Sequence, residues 1–183
     1  MYPQPDHLFL PIQPYNVSGY HFGQRLRRRI ILWATHLGDD VIAPAGTAVC
    51  TTGAGEVVWA EIRRGTARHR NWGGLIVIGH TARTTSQPFF SIYGHLQDLT
   101  VRVGETVAPQ HCVGTIAPGL TAENGWWEIP HLHFGIYSGP WQRQVLPGYK
   151  RPEEWRTRLR WWHDPKSFIE AYNLASTSAP SNS

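Results

Sequence analysis

Only 2 of the 183 residues are cysteine and only one is methionine. Cys50 and Cys112 lie in no paired CxxC motif, which excludes a disulfide-stapled scaffold and a cysteine-rich metal finger. Whether the two bridge each other is left open by the sequence. Charged residues make up 16% of the chain, below the usual quarter or so. No apolar run approaches the roughly 20 residues that a membrane span needs. The amino-terminal stretch MYPQPDHLFLPIQPY has no basic start ahead of an apolar run, so no signal peptide is visible and localisation stays open.

Apolar residues reach 41% and aromatics 12%, enough to exclude a wholly disordered chain. The 18 glycines and 14 prolines imply many turns and speak against a helical bundle. The length favours one compact domain able to bury a core without staples. A single unit is expected over residues 1–174, with a motif core at about 30–140 and a helical extension at about 150–174. The low-complexity end, 175–183, is expected to be disordered.

The net charge is +4 and the pI about 9.3, which suits an anionic partner: nucleic acid, a membrane surface or a cell-wall polymer. The excess is local. Arg25, Arg27, Arg28 and Arg29 form one cluster; Arg143, Lys150, Arg151, Arg156, Arg158 and Arg160 form another. These read as a solvated turn and the outer face of a helix. No nucleic-acid-binding signature accompanies them, so no nucleic-acid partner is expected.

The first twenty residues are proline-rich and read as an irregular lead-in packing across the domain. From Ile30 to Ile136, short β-type runs alternate with glycine-bearing turns: 30–34, 46–50, 55–62, 75–80, 89–96, 100–103, 111–117 and 131–137. Their length and spacing predict a sandwich or barrel. GTAVCTTGAGEV and GETVAPQHCVGTI share a shape and suggest a weak internal repeat of two hairpin units. Residues 63–74 read as an exposed hairpin loop. Beyond Gly148, Trp155, Leu159 and Trp162 fall at helical spacing. Asp164-Pro165 then reads as the N-cap and first residue of a second short helix.

The ten histidines carry the chemistry. His36 and Asp40 lie either side of a Leu-Gly-Asp turn, which can bring an imidazole nitrogen and a carboxylate oxygen to one metal. His131 and His133 sit in a strand-like run, and alternation points both to one face. Paired imidazoles on one face have few core explanations, because each buried ring needs hydrogen-bond partners. His95 and His80 lie at strand ends. Two histidines and one carboxylate suffice for a catalytic zinc with an open position, and further histidines nearby can move protons. Chemistry alone does not say which of His131 and His133 binds, nor does it separate zinc from other metals that favour imidazole.

In chain order come THLGDDVIAPAGTAV, GEVVWA, GGLIVIGH, YGHL, VRVGETVAPQHCVGTI and PHLHFGIY. This succession, from about Thr35 to Tyr137, resembles the lysostaphin-type zinc metallopeptidases, also known as LytM-domain or duplicated-hybrid-motif peptidases. The resemblance implies a mainly β, compact antiparallel sandwich- or barrel-like domain, with short C-terminal helices following it in this chain. It implies one zinc ion held by His36, Asp40 and His133. His131 and His95 then fall at the two catalytic, non-ligand positions: His131 as general base, His95 to stabilise an oxyanion or protonate the leaving amine. His80 falls where a structural or supporting role is expected. The implied reaction is peptide-bond hydrolysis, with a peptide or peptidoglycan as substrate.

The lead-in TAENGWWEIPHLHF departs from the small glycine-rich turn usual in that family. Trp126 and Trp127 are either an aromatic wall beside the groove or a core plug, and Glu128 is expected to face solvent. Two rivals to the peptidase reading are a catalytically silent LytM-like binding or activator module and a Trp-rich carbohydrate-binding domain.

Overall fold

The computed structural model describes residues 1–151 and 159–177. Two antiparallel sheets make up the body. The smaller, in the order β1-β2-β11, holds β1 (Arg25–Arg28), β2 (Ile31–His36) and β11 (Tyr149–Lys150). The larger has nine strands. Its main path is β12 (Trp162–His163), β10 (His131–Tyr137), β7 (Pro88–Gln97), β6 (Gly73–Thr81), β5 (Gly55–Arg63) and β8 (Thr106–Val107). Beside that path lie β3 (Asp39–Ile42) on β10, and β4 (Ala48–Cys50) on β9 (Cys112–Ile116), which also meets β7. Among the described residues the strands close no barrel.

The central strands β6, β7 and β10 are buried along almost their whole length. Strands covered on both faces read as continuous apolar runs, which is why LIVI, FFSIY and HFGI are legible as strands. Ile76, Ile78, Tyr93, Phe134 and Ile136 pack one layer; Leu75, Val77, Phe90 and Ile92 pack the other. The lead-in crosses the first layer as expected, burying Leu8 and Ile12.

The two similar hairpin units interlock. β4 of the first pairs with β9 of the second, and β5 of the first pairs with β8 of the second. Cys50 and Cys112 are thereby direct cross-strand partners, and both are free thiols.

Several expectations are corrected. Residues 100–103 form no strand. Gly104, at φ 88°, and the hydrogen bond from Glu105 N to the Arg102 carbonyl close a turn there instead. The arginine cluster at 25–28 is an edge strand, not a turn. One C-terminal helix is present among the described residues, α1 (Pro165–Thr177), running past the expected limit at 174. Asp164 caps it, its Oδ1 accepting from Ser167 N at 2.8 Å. The other expected helix, over 151–162, falls largely on residues 152–158, outside the described residues, and residues 159–161 are a turn. Its last apolar position, Trp162, lies in β12.

Candidate metal centre

Asp40 and His133 meet because β3 and β10 run antiparallel with those two residues directly opposite. His36 arrives from the other sheet at the end of β2, and only Leu37 and Gly38 separate it from β3. That crossing is tight. A Cβ on Gly38 would lie 2.4 Å from the Phe134 carbonyl and 2.7 Å from His133 Nε2, so the turn requires glycine.

The three facing atoms form a nearly equilateral triangle. His36 Nε2 to Asp40 Oδ1 is 3.2 Å, His36 Nε2 to His133 Nδ1 is 3.1 Å, and His133 Nδ1 to Asp40 Oδ1 is 3.0 Å. Tetrahedral ligands on zinc, each about 2.0–2.1 Å from the ion, stand about 3.3 Å apart. The donor set and its spacing therefore fit one small cation. Burial pushes His133 down to about 4, leaving a neutral ring. Burial alone would raise Asp40, but hydrogen bonds and charge from His133 and His36 outweigh it and hold the carboxylate far below its usual range. His36 donates Nδ1–H to the His21 carbonyl at 3.3 Å, which turns the Nε2 lone pair inward.

The neighbouring aspartate is occupied elsewhere. Asp39 accepts from Tyr15 Oη and from Phe22 N, both at 2.9 Å. Strand alternation puts it on the face opposite Asp40.

His131 and His95 stand beside the triangle rather than in it. His131 Nε2 is 3.8 Å from Asp40 Oδ1, and the His95 and His131 ring centroids are 4.5 Å apart. Each ring donates Nδ1–H to a backbone carbonyl: His131 to Ile129 at 2.7 Å and His95 to Asn124 at 2.9 Å. A carbonyl only accepts, so both rings present an Nε2 lone pair when neutral. Burial, followed by the charges of His131 and His133, pushes His95 well below the ordinary histidine value.

His95 reaches this face through a bulge. Gly74 pairs with Leu96 and Leu75 with Gly94, so His95 has no opposite residue on β6. Its φ is 66°, in the left-handed region that non-glycine residues seldom adopt. A bulge re-aims one side chain without breaking the sheet. His80 is elsewhere: Nδ1 donates to the Ala54 carbonyl at 2.7 Å and Nε2 meets Ser91 Oγ at 2.8 Å. It is a core residue.

Residues 34–145 match Peptidase family M23. The chain belongs to that family. It is also 31% identical over 103 residues to the peptidoglycan DD-endopeptidase ShyA of Vibrio cholerae serotype O1, covering 56% of this chain and 20% of that protein. The chain thus spans about a fifth of that relative's length. Three solved structures share the fold. LytU aligns at TM-score 0.59 and 18% identity, over 88% of this chain and 90% of its own. Lysostaphin from Staphylococcus simulans aligns at 0.57 and 18%, over 98% and 58%. A zinc-containing peptidase from Vibrio cholerae aligns at 0.53 and 20%, over 73% and 36%.

Within this M23 domain an aromatic wall rises beside the triangle. Trp72, at the end of the 64–72 loop, stacks on His95 with centroids 5.9 Å apart and meets His133 edge-on at 4.9 Å. Its Nε1 donates to the Leu146 carbonyl. Trp127 stacks against Tyr149 at 6.3 Å, and Tyr149 lies 5.1 Å from the His36 ring. Burial raises the Tyr149 hydroxyl well above its ordinary value, so it stays a hydrogen-bond donor. Of the two tryptophans left open by the sequence, Trp127 is the wall. Trp126 is half-buried, at φ 68°, and lines neither hollow beside the histidines.

Trp72 and Tyr149 escaped the sequence reading, because one ends a polar loop and the other lies in a two-residue strand. The available signal for Trp72 was an aromatic placed directly before the Gly-Gly that opens β6.

Proposed function

We propose that the chain is a zinc-dependent endopeptidase that hydrolyses peptide bonds of peptidoglycan. The observation that carries this reading is the buried His36–Asp40–His133 triangle with two further histidines turned toward it. The one curated relative named above acts on peptidoglycan by its name, and that supports the substrate class.

In this reading His36 Nε2, Asp40 Oδ1 and His133 Nδ1 hold one zinc ion. Bound there, zinc supplies Lewis acidity, polarising a carbonyl and lowering the pKa of water toward about 7. The protein's own residues then do the proton work. His131 takes the proton of the attacking water at Nε2, since Nδ1 is already committed to Ile129. His95, kept neutral by burial and with Nδ1–H held by Asn124, orients that water at the start of the reaction. Of the two roles expected of His95, stabilising an oxyanion or protonating the leaving amine, this arrangement favours the second, because a ring with Nε2 unprotonated accepts until it has gained a proton. The proton gained by the pair returns to the leaving amine. Tyr149 lines the same hollow as His95 and His133 and donates a hydrogen bond to the developing oxyanion. Trp72, Trp127 and Tyr149 shield the reacting groups from bulk water, which strengthens every polar contact there.

Against a silent binding module stands the completeness of the set. All five residues are present and oriented, which mere binding does not require. The test is digestion of purified peptidoglycan by the zinc-loaded protein, with and without a chelator, the fragments read by mass spectrometry. New amino termini that vanish on chelation are expected. Zinc-loaded protein that releases no fragments, or release indifferent to chelation, overturns the reading.

A further inference from the structure

The arginine-rich strand β1 is not absorbed by the hydrolytic site, yet it adjoins it. A broad surface hollow of about 750 Å³ is lined by Arg27, Arg28, Trp33, Ala67, Arg68 and Arg70. None of these described lining residues is acidic. Arg70 also lines both hollows beside the histidines, so the basic hollow adjoins the groove over the metal centre at that residue.

Two devices build it. In the β1–β2 pair, Leu26 faces Ala34 but Arg27 faces Leu32, which leaves Trp33 without an opposite residue. That bulge lies on β2 and takes Trp33 out of the alternation of its own strand, and Trp33, Arg27 and Arg28 all line the hollow. Trp33 is 44% exposed and packs on Tyr149 at 5.4 Å, linking the hollow to the aromatic wall. On the other side, Thr66 and His69 bridge each other and present Ala67 and Arg68 at a tight turn.

The 64–72 loop is laced to the 121–129 segment. Gly65 N donates to Ala122, Asn71 N to Gly125, and Trp127 Nε1 to the Asn71 carbonyl. Arg64 pairs with Glu123. Arg70 lies over the Trp127 ring at 4.6 Å and pairs with the exposed Glu128 at 3.5 Å. The guanidinium groups are thus presented by anchored segments, which lowers the ordering cost of binding an anion.

We infer that this hollow is an anion-binding extension of the substrate groove, taking carboxylates of the same polymer whose peptide bond lies over the metal centre. The inference rests on the peptidase reading for the identity of that polymer. Guanidinium forks match carboxylate geometry, an exposed tryptophan offers a face to the neighbouring chain, and peptide stems of peptidoglycan carry free carboxylates. Continuity through Arg70 favours a segment of the substrate itself over a separate polyanion.

The test separates binding from hydrolysis. Metal-stripped protein is pelleted with purified insoluble peptidoglycan, native or with its carboxyls amidated. Wild type is compared with Arg28→Glu/Arg68→Glu and with Arg28→Lys/Arg68→Lys, after matching their melting curves to wild type. Reversing two exposed charges, and amidation by itself, should each weaken pelleting about tenfold. The lysine pair should keep most of the binding. Hydrolysis of a short uncharged peptide by the zinc-loaded charge-reversed variant should match wild type. Equal pelleting of native and amidated material, or no loss in the charge-reversed variant, overturns the inference. Polyphosphate or a single-stranded oligonucleotide displacing the protein far better than poly-L-glutamate overturns the carboxylate assignment. Carboxylate-dependent pelleting by a protein that hydrolyses nothing when zinc-loaded leaves this subsite standing and removes the peptidase reading.

Discussion

Asp40 and His133 are direct partners across the β3–β10 pair, with Oδ1 and Nδ1 3.0 Å apart. Cross-strand placement sets the two Cβ atoms about 4.5–5.5 Å apart by backbone pairing, which leaves the side chains little distance to close. The juxtaposition of these two side chains is therefore set when the sheet forms.

Removing a corner of the triangle should remove the metal. His133→Ala and Asp40→Asn are expected to lower bound zinc from about one per chain to a small fraction, read by elemental analysis after gel filtration. Peptidoglycan hydrolysis should fall with it, by roughly a thousandfold or more. Full zinc retention by His133→Ala would rule out this ligand set.

His131→Ala and His95→Ala should separate chemistry from metal binding. Both are expected to keep wild-type zinc content, while kcat falls by about 10²–10⁴, the usual worth of a positioned proton-transfer group. Loss of zinc in His131→Ala would instead make it a ligand.

His80 predicts an acid weakness. Its folded value is lowered by burial to about 4 from 6.5, so the unfolded chain takes up the proton first as pH falls. Its contribution is complete above about pH 6.5 and is lost progressively toward pH 4, by about 3 kcal/mol in all. His80→Gln keeps a donor and an acceptor without the titration. It should be less stable at pH 7 but lose less urea resistance between pH 7 and pH 4.5. An identical pH slope in the two proteins would refute this account.

Gly38→Ala adds one methyl where no space exists, against the Phe134 carbonyl and His133. It should cost about 2 kcal/mol or more of stability, since the atom it meets first is backbone. Zinc affinity should drop as well, because relief requires His133 or the Leu37–Gly38 crossing to move. Calorimetry with and without zinc reads both effects.

Trp127→Ala should raise KM for peptidoglycan about tenfold with zinc content unchanged, a size typical of losing one aromatic face. Trp126→Ala should leave KM near wild type, because that ring lines neither hollow beside the histidines. Equal effects from the two substitutions would contradict the assignment of Trp127 as the wall.

The strands were legible where their cause is local. β6, β7 and β10 are runs of apolar, β-branched and aromatic residues bounded by turn chemistry, and such runs announce themselves without knowledge of partners. The alternation of His131 and His133 was legible for the same reason, as was the Asp164 cap. Residues 100–103 misled because Val101 and Val103 alternate with polar neighbours while Gly104 turns the chain away from any ladder. Arg25–Arg28 misled in the opposite direction, since an edge strand with one buried leucine carries almost no hydrophobic signal.

By itself, the sequence determined the order of the elements and the residue types capable of holding a metal. Through resemblance, it also supplied the expected ligand set. Only the tertiary structure decided that His36, Asp40 and His133 converge to 3.0–3.2 Å. The same holds for the bulge that turns His95 inward and for Trp72 and Trp127, which both lie against His95 from loops far apart in the chain. The reason is physical. Periodicity and turn preference act over a few residues, whereas a site is made by strand register and loop lacing between segments up to 97 residues apart. Those long-range contacts leave no mark on the local pattern. They arise from the pairing of whole strands and the lacing of loops, and a slip of one residue between β3 and β10 would have put Asp40 and His133 on opposite faces.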